Sequence, residues 1–353
     1  MIIKNLFARV SFSLVFTILF FSGCEPPKSS PVKLSQVTIT DLLTDSISIR
    51  AIAPGNRNLA FAGSNGYYGL YDARTGKTKV SRQLYDSIVP AFRAVAFTDN
   101  DFFMLSIGTP ALLYKTGTAG KMELVYREDG ENVFYDAMQF WNEKEGIAIG
   151  DPTDGCMSVI ITRDGGFTWK KLECESLPLS AEGEAAFAAS NTNIAIVGDK
   201  AWIASGGIKS RIYYSPDKGR SWEVFNTPFT QQAATKGIYS IDFYDENLGF
   251  AIGGDYTDPS NNEANKAITR DGGRSWELVA NKKHPGYKSC VQFVPGSLGA
   301  SLVAVGFTGI SVSNDYGENW NELSKEGFYT LRFINDSTAY AAGKNRLSKL
   351  VFK

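Results

Sequence analysis

Thr162-Arg163-Asp164-Gly165-Gly166-Phe167-Thr168-Trp169 decides the fold, because it comes back three more times. Ser215-Pro-Asp217-Lys-Gly219-Arg-Ser221-Trp222 and Thr269-Arg-Asp271-Gly-Gly273-Arg-Ser275-Trp276 have the same skeleton. Ser313-Asn-Asp315-Tyr-Gly317-Glu-Asn319-Trp320 departs from it only at Asn319. The shared pattern, Ser/Thr-x-Asp-x-Gly-x-Ser/Thr-Trp, recurs about every fifty residues, which marks a repeat architecture. Its chemistry is that of a hairpin turn. The short Asp accepts hydrogen bonds from turn amides, Gly supplies a positive φ, and Trp starts the returning strand with a large apolar face over the turn. Four copies of one residue in four equivalent turns are what a structural device produces. Asp164, Asp217, Asp271 and Asp315, with Trp169, Trp222, Trp276 and Trp320, are therefore expected to be structural.

The octets resemble the Asp-box, or bacterial neuraminidase repeat, of sialidases, sortilin-type receptors and photosystem II assembly factors. That resemblance implies a β-propeller and says little about chemistry, since the same turn serves unrelated functions. The rest of the chain agrees with an all-β fold. Aromatic residues make up 13%, there are 34 glycines, and no long stretch has helical periodicity. Seven first strands can be marked, beginning at Ser48, Phe92, Phe134, Glu184, Tyr239, Ser289 and Tyr329. The first two blades carry degenerate turns, Asp72-Ala-Arg-Thr-Gly76 and Lys115-Thr-Gly-Thr-Ala-Gly120. The expectation is a single seven-bladed β-propeller of four-stranded antiparallel blades over residues 34–353. The N-terminal strand candidate Leu34–Leu43 would pair with the C-terminal strand, closing the ring and leaving no open edge.

Residues 1–23 read as an export signal, with Lys4 and Arg9 ahead of an apolar run from Val10 to Phe21 that is short for a membrane span. Phe21-Ser22-Gly23-Cys24 resembles a bacterial lipobox, which implies cleavage before Cys24 and lipid attachment to its thiol. Residues 24–33 are then a Pro- and Ser-rich tether, long enough when extended to hold the domain about 20–30 Å from a membrane. The expected place is the bacterial cell envelope, at the outer membrane or the periplasmic face. The chain has 36 basic and 37 acidic residues, and cleavage would remove Lys4 and Arg9. With no basic run, nucleic acid is not an expected partner.

Propeller topology sorts the remaining candidates. Aligned strand starts put Arg50, Arg93, Asp136, Tyr239, Ser289 and Tyr329 at one rung of the top face, with Glu184 one position outside it. The loops between second and third strands add Asp151, Asp255 and Tyr256. Two arginines, several carboxylates and tyrosines around one funnel suit a polar or anionic ligand; the alternative is a plug in which these groups satisfy one another. The Asp-boxes belong at the opposite face. Asp151–Gly155 and Asp255–Glu263 offer oxygen ligands but match no calcium-loop spacing, so solvated loops are favoured and no metal is assigned. His284 is the only histidine, expected to be exposed, and its solitude speaks against multi-histidine metal sites. Cys156 and Cys174 flank one hairpin symmetrically, and an exported location permits a disulfide between them. Cys290 reads as a small buried hydrophobe.

Longer strings, among them Gly150-Asp-Pro, Gly183-Glu-Ala-Ala-Phe-Ala-Ala-Ser190, Gly253-Gly-Asp-Tyr256 and Gly286-Tyr-Lys-Ser289, resemble exported bacterial propellers labelled "oxidoreductase" or photosystem II assembly factor-like. The chain shows no nicotinamide fingerprint and no redox cysteine pair, so no cofactor is expected. The resemblance implies a monomeric, non-catalytic, lipid-anchored scaffold that binds a protein or a glycan. The competing reading is a sialidase-like or other glycoside hydrolase, with Arg50 and Arg93 beside Glu184, Asp136 and Tyr239. That reading lacks a third arginine at the rung, because Arg332 falls on the other side of its strand, and it lacks the Arg-Ile-Pro motif.

Overall fold

The structure is a computed structural model that describes residues 32–55 and 57–353. Cys24, the export signal and most of the tether lie outside them. The described chain is built of antiparallel strands arranged in six sheets, four of four strands and two of six.

Six sheets, rather than the seven separate blades read from the strand starts, is a correction. Its cause is the strand Val37–Pro54, which runs for 18 residues. Its first part pairs with the last strand, Thr338–Phe352, from Val37↔Phe352 to Ser48↔Lys344. Its second part pairs with Asn58–Gly63, from Ile49↔Gly63 to Pro54↔Leu59. Thr338–Phe352 in turn pairs with Thr330–Phe333. What reads locally as a seventh blade is thus continuous with the first, and irregularities at Thr44/Ser48 and Ile49/Ala51 let the long strand bend between them.

The fourth first strand also differs. Only Glu184–Ala185 of the expected Glu184–Ala189 strand is paired, to Gly206–Gly207. That pair extends the neighbouring six-stranded sheet, and the first strand of the fourth blade is instead Ile194–Val197, at the edge of a separate four-stranded sheet. The intervening Ala186–Asn193 is held by side chains instead: Asn191 accepts from the Met138 amide at 2.9 Å and donates to the Val95 carbonyl at 2.8 Å. Polar backbone without a ladder partner needs such substitutes when buried.

The Asp-boxes close their hairpins by one repeated network. In the first, Thr162 Oγ1 donates to Asp164 Oδ1 at 2.9 Å and accepts from the Gly166 amide at 2.9 Å. Asp164 also receives the Thr168 amide at 3.0 Å and the Thr168 hydroxyl at 2.6 Å. The other three repeat it, with the Asn319 amide group replacing the hydroxyl at 2.8 Å. Gly166 has φ 79°, and a Cβ there would lie 2.2 Å from the Phe103 ring of the preceding sheet, so both backbone and packing demand glycine. Trp169 stands edge-on to Phe103 and Phe140 in the same cluster. Each box leans on the turn after its own sheet's first strand, as Gly165 donates to Lys144 and Gly272 to Asn247.

Cys156 and Cys174 form a disulfide with a Cα–Cα distance of 5.6 Å. Cys290 is free and fully buried.

Removing one box carboxylate, as in Asp271→Ala, is expected to lower unfolding free energy by about 1–2 kcal/mol, read as a lower urea midpoint. Burial pushes the Asp271 carboxyl up, but bonds from the Ser275 hydroxyl and amide and from Thr269 bring it below its usual value. Its stabilisation is therefore present above the unfolded-state value near 3.8 and is lost as pH falls through the lower folded value. Asp271→Asn should show a shallower acid loss of stability than the parent chain.

Candidate functional site

A cavity of about 450 Å³ opens where the first strands of the sheets begin. Its wall takes residues from those strand starts, from the end of a second strand at Asp151, and from the loops between second and third strands at Tyr256 and Phe307. The Asp-box turns pack on the connections at the other end of the same strands, so cavity and boxes occupy opposite ends of the ring.

One side is cationic. Arg50 lies with its Cζ 4.0 Å above the Tyr329 ring centroid, a cation–π stack, and its Nε is buried with no hydrogen-bond partner. Arg93 donates to the Ala188 carbonyl at 3.0 Å. Burial, then the neighbouring Arg50 charge, lowers Arg93 to about 10, which leaves it a cation at neutral pH. Both guanidiniums keep N–H groups for a ligand, since each carries five and the ordered bonds use few.

Acids lie behind the arginines. Asp136 is fully buried, and neither carboxyl oxygen has a partner at hydrogen-bond geometry. Burial first, then Asp151, holds it well above the usual carboxylate range; Arg93 and the approach of the Ala188 amide oppose this without completing a bond. Asp151 lines the cavity and accepts the Ala186 amide at 2.8 Å. Burial raises it to about 6 despite that bond.

The opposite side is aromatic. Phe187 and Tyr239 stack with centroids 4.0 Å apart and 6° between planes. Tyr287 stands edge-on to Tyr239 at 4.9 Å, and Phe307 tilts against Tyr287 at 5.3 Å. Tyr256 is 49% exposed at the rim. The run Ala185-Ala186-Phe187-Ala188-Ala189 forms the floor between arginines and rings, its small side chains keeping the hollow open.

Of the ten residues expected at the top face, Arg50, Arg93, Asp151, Tyr239, Tyr256 and Tyr329 line this cavity, and Asp136 lies behind it. Glu184 does not. Its side chain is fully buried and held by Arg211 at 2.5 Å, Ser205 at 2.5 Å and the Ala181 amide at 2.8 Å. Asp255 closes its own loop through the Thr257 amide at 2.9 Å and hydroxyl at 2.6 Å. Ser289 gives its hydroxyl to the Tyr329 carbonyl at 2.7 Å. Arg332 caps the Asn191 and Leu331 carbonyls, each at 2.8 Å, away from the cavity. The aromatic wall of Phe187, Tyr287 and Phe307 was not singled out from sequence. Tyr287 lies just before the strand Cys290–Phe293, a position sequence alignment of strand starts could have reached, whereas Phe187 lies in the unpaired run after Ala185 and gave no such signal. Among the described residues, no group of three or more His, Cys, Asp or Glu side chains converges as metal ligands.

Comparison with known proteins agrees with this architecture. The Sortilin-Vps10 family (sortilin, neurotensin receptor 3) matches residues 157–294, a span holding three of the four Asp-boxes. A solved structure described as "YCF48 bound to D1 peptide" superposes with a TM-score of 0.66 over 92% of this chain and 98% of that chain, at 13% identity. The superposition shows a shared fold, and at that identity the fold alone. No curated protein matches the chain.

The buried acid makes a separable prediction. A carboxyl whose folded pKa is raised loses stability as pH climbs above its unfolded value near 3.8. Asp136→Asn should therefore melt at a higher temperature than the parent at about pH 7, with the gap closing toward about pH 4.

Proposed function

We propose that this chain is a non-catalytic binding propeller that captures an extended segment of a partner protein in its top-face cavity. The observation that carries this reading is the pairing of Arg50, with a buried Nε lacking any partner, and Arg93 against an aromatic wall. Guanidiniums recognise carboxylates and peptide carbonyls with directional bonds. Tyrosine and phenylalanine faces give apolar side chains a place beside them. The solved relative in fold has a D1 peptide bound, which supports a peptide over a glycan as occupant. The same reading takes Cys24 as a lipid attachment point that keeps the propeller at an envelope membrane.

Glycoside hydrolysis is the second reading, and the Asp136–Asp151 pair is what favours it, since two adjacent carboxyls with raised pKa values suit proton transfer. Against it, Glu184 is committed to Arg211, and Asp136 is walled off from the cavity it would have to serve.

A peptide array with free and amidated C-termini, probed with the full chain, tests the proposal. Binders should lose about tenfold or more in affinity in Arg50→Ala and Arg93→Ala, while urea midpoints stay near the parent value. Turnover of a fluorogenic glycoside panel, abolished by Asp151→Asn, would replace the scaffold reading with the enzymatic one.

A further inference from the structure

A second cavity, of about 400 Å³, lies outside the aromatic wall and is lined by Pro259, Asn262, His284, Lys288, Thr308 and Glu322 among others. Tyr287 and Phe307 face the central cavity, while their neighbours Lys288 and Thr308 face this one. The two hollows stand back to back across one strip of chain.

Buried positive charge distinguishes the outer cavity. Lys288 is 2% exposed, and its Nζ donates to Thr308 Oγ1 at 3.2 Å and to the Gly309 carbonyl at 2.8 Å. An ammonium has three hydrogens, so these two bonds leave one in hand. Thr308 is oriented for this role, because its hydroxyl donates to the Tyr287 carbonyl at 3.0 Å and so turns a lone pair to the lysine. Lys266, 1% exposed, donates to Asn265 Oδ1 at 2.5 Å and to the carbonyls of Lys283 at 3.0 Å and Pro285 at 2.8 Å. Every one of these acceptors is neutral. His284, at the mouth, engages Ser311 Oγ through Nε2 at 2.9 Å.

Two ammonium groups held out of water among neutral acceptors are poorly compensated. Burial accordingly lowers Lys288 to about 8 and Lys266 to about 7, and burial with the Lys288 charge lowers His284. The one carboxylate at the rim, Glu322, is exposed and acts on Lys288 and His284 only through space. An anion entering from solvent would meet a fixed lysine, an imidazole and the Asn262 side chain without displacing any ordered bond of the lysines.

We infer that this outer cavity is an oxyanion subsite, in which Lys288 and His284 receive the carboxylate or phosphate group of a small ligand. The site is independent of the peptide reading for the central cavity.

His284 is the only histidine of the chain, so its ring resonances report on the site without ambiguity. Inorganic phosphate and acetate are titrated separately into the full chain at fixed pH, with sodium chloride at matched ionic strength as the reference. The expected result is a saturable His284 shift, in the millimolar range, from at least one oxyanion and not from chloride. The responding arm identifies the preferred class. Lys288→Met should weaken that binding about tenfold or more, and Glu322→Gln, a surface change, should tighten it by removing a competing negative charge. No saturable shift from either oxyanion, an equal shift from chloride, or unchanged affinity in Glu322→Gln would each overturn the assignment, including where Lys288→Met fails to fold.

Discussion

The ring depends on one strand doing two jobs. Val37–Pro54 is hydrogen-bonded along its first part to the end of the chain and along its second to the first hairpin. A circle of sheets has no stable half-way state, because any gap leaves two rows of unpaired amides and carbonyls. Pairing of the two chain ends makes closure a property of the whole sequence rather than of neighbouring sheets. The convergence of strand starts on one hollow follows from that closure. Arg50, on the closing strand itself, meets Tyr329 from the far end of the chain, and the cavity exists only once both are in place.

Closure also explains why polar groups crowd the ring interior. Ser190 donates to the Ser289 carbonyl at 2.6 Å, Thr192 to Ser240 at 2.7 Å, and Thr330 to the Ser190 carbonyl at 2.9 Å. Sheets that radiate from an axis are too close there for large apolar side chains. Small hydroxyl residues fill the space and satisfy the backbone of an irregular segment that has no ladder. Asp136 and Arg50 depart from this pattern: each retains buried polar atoms without partners.

Much of this was legible in the sequence, for a physical reason. An Asp-box is a local object whose four key contacts lie within eight residues, so spacing alone reveals it. The arginines of the cavity were legible too, because equivalent strand starts align. Glu184 was misleading, since the residue that claims it, Arg211, arrives on a different strand and only folding brings them together. Residues Glu184–Ala189 read as a strand because five of the six are apolar, yet past Ala185 their backbone is met by the side chains of Asp151 and Arg93 rather than by a ladder. Sheet number was illegible because local patterning cannot show that a strand continues through a bend into the next sheet. The buried lysines were equally hidden: nothing in the string Lys-Lys-His-Pro-Gly-Tyr-Lys distinguishes exposed Lys282 from buried Lys288.

The first described residues carry a directional consequence. Leu34 exchanges two hydrogen bonds with the Asn314 side chain, each at 2.9 Å, and Val32 accepts from Ser301 at 2.5 Å. Asn314 belongs to the fourth Asp-box, so the chain joins the ring at the end opposite the central cavity. The point at which the described chain enters the ring is thus held by side-chain bonds at the Asp-box end, away from the central cavity.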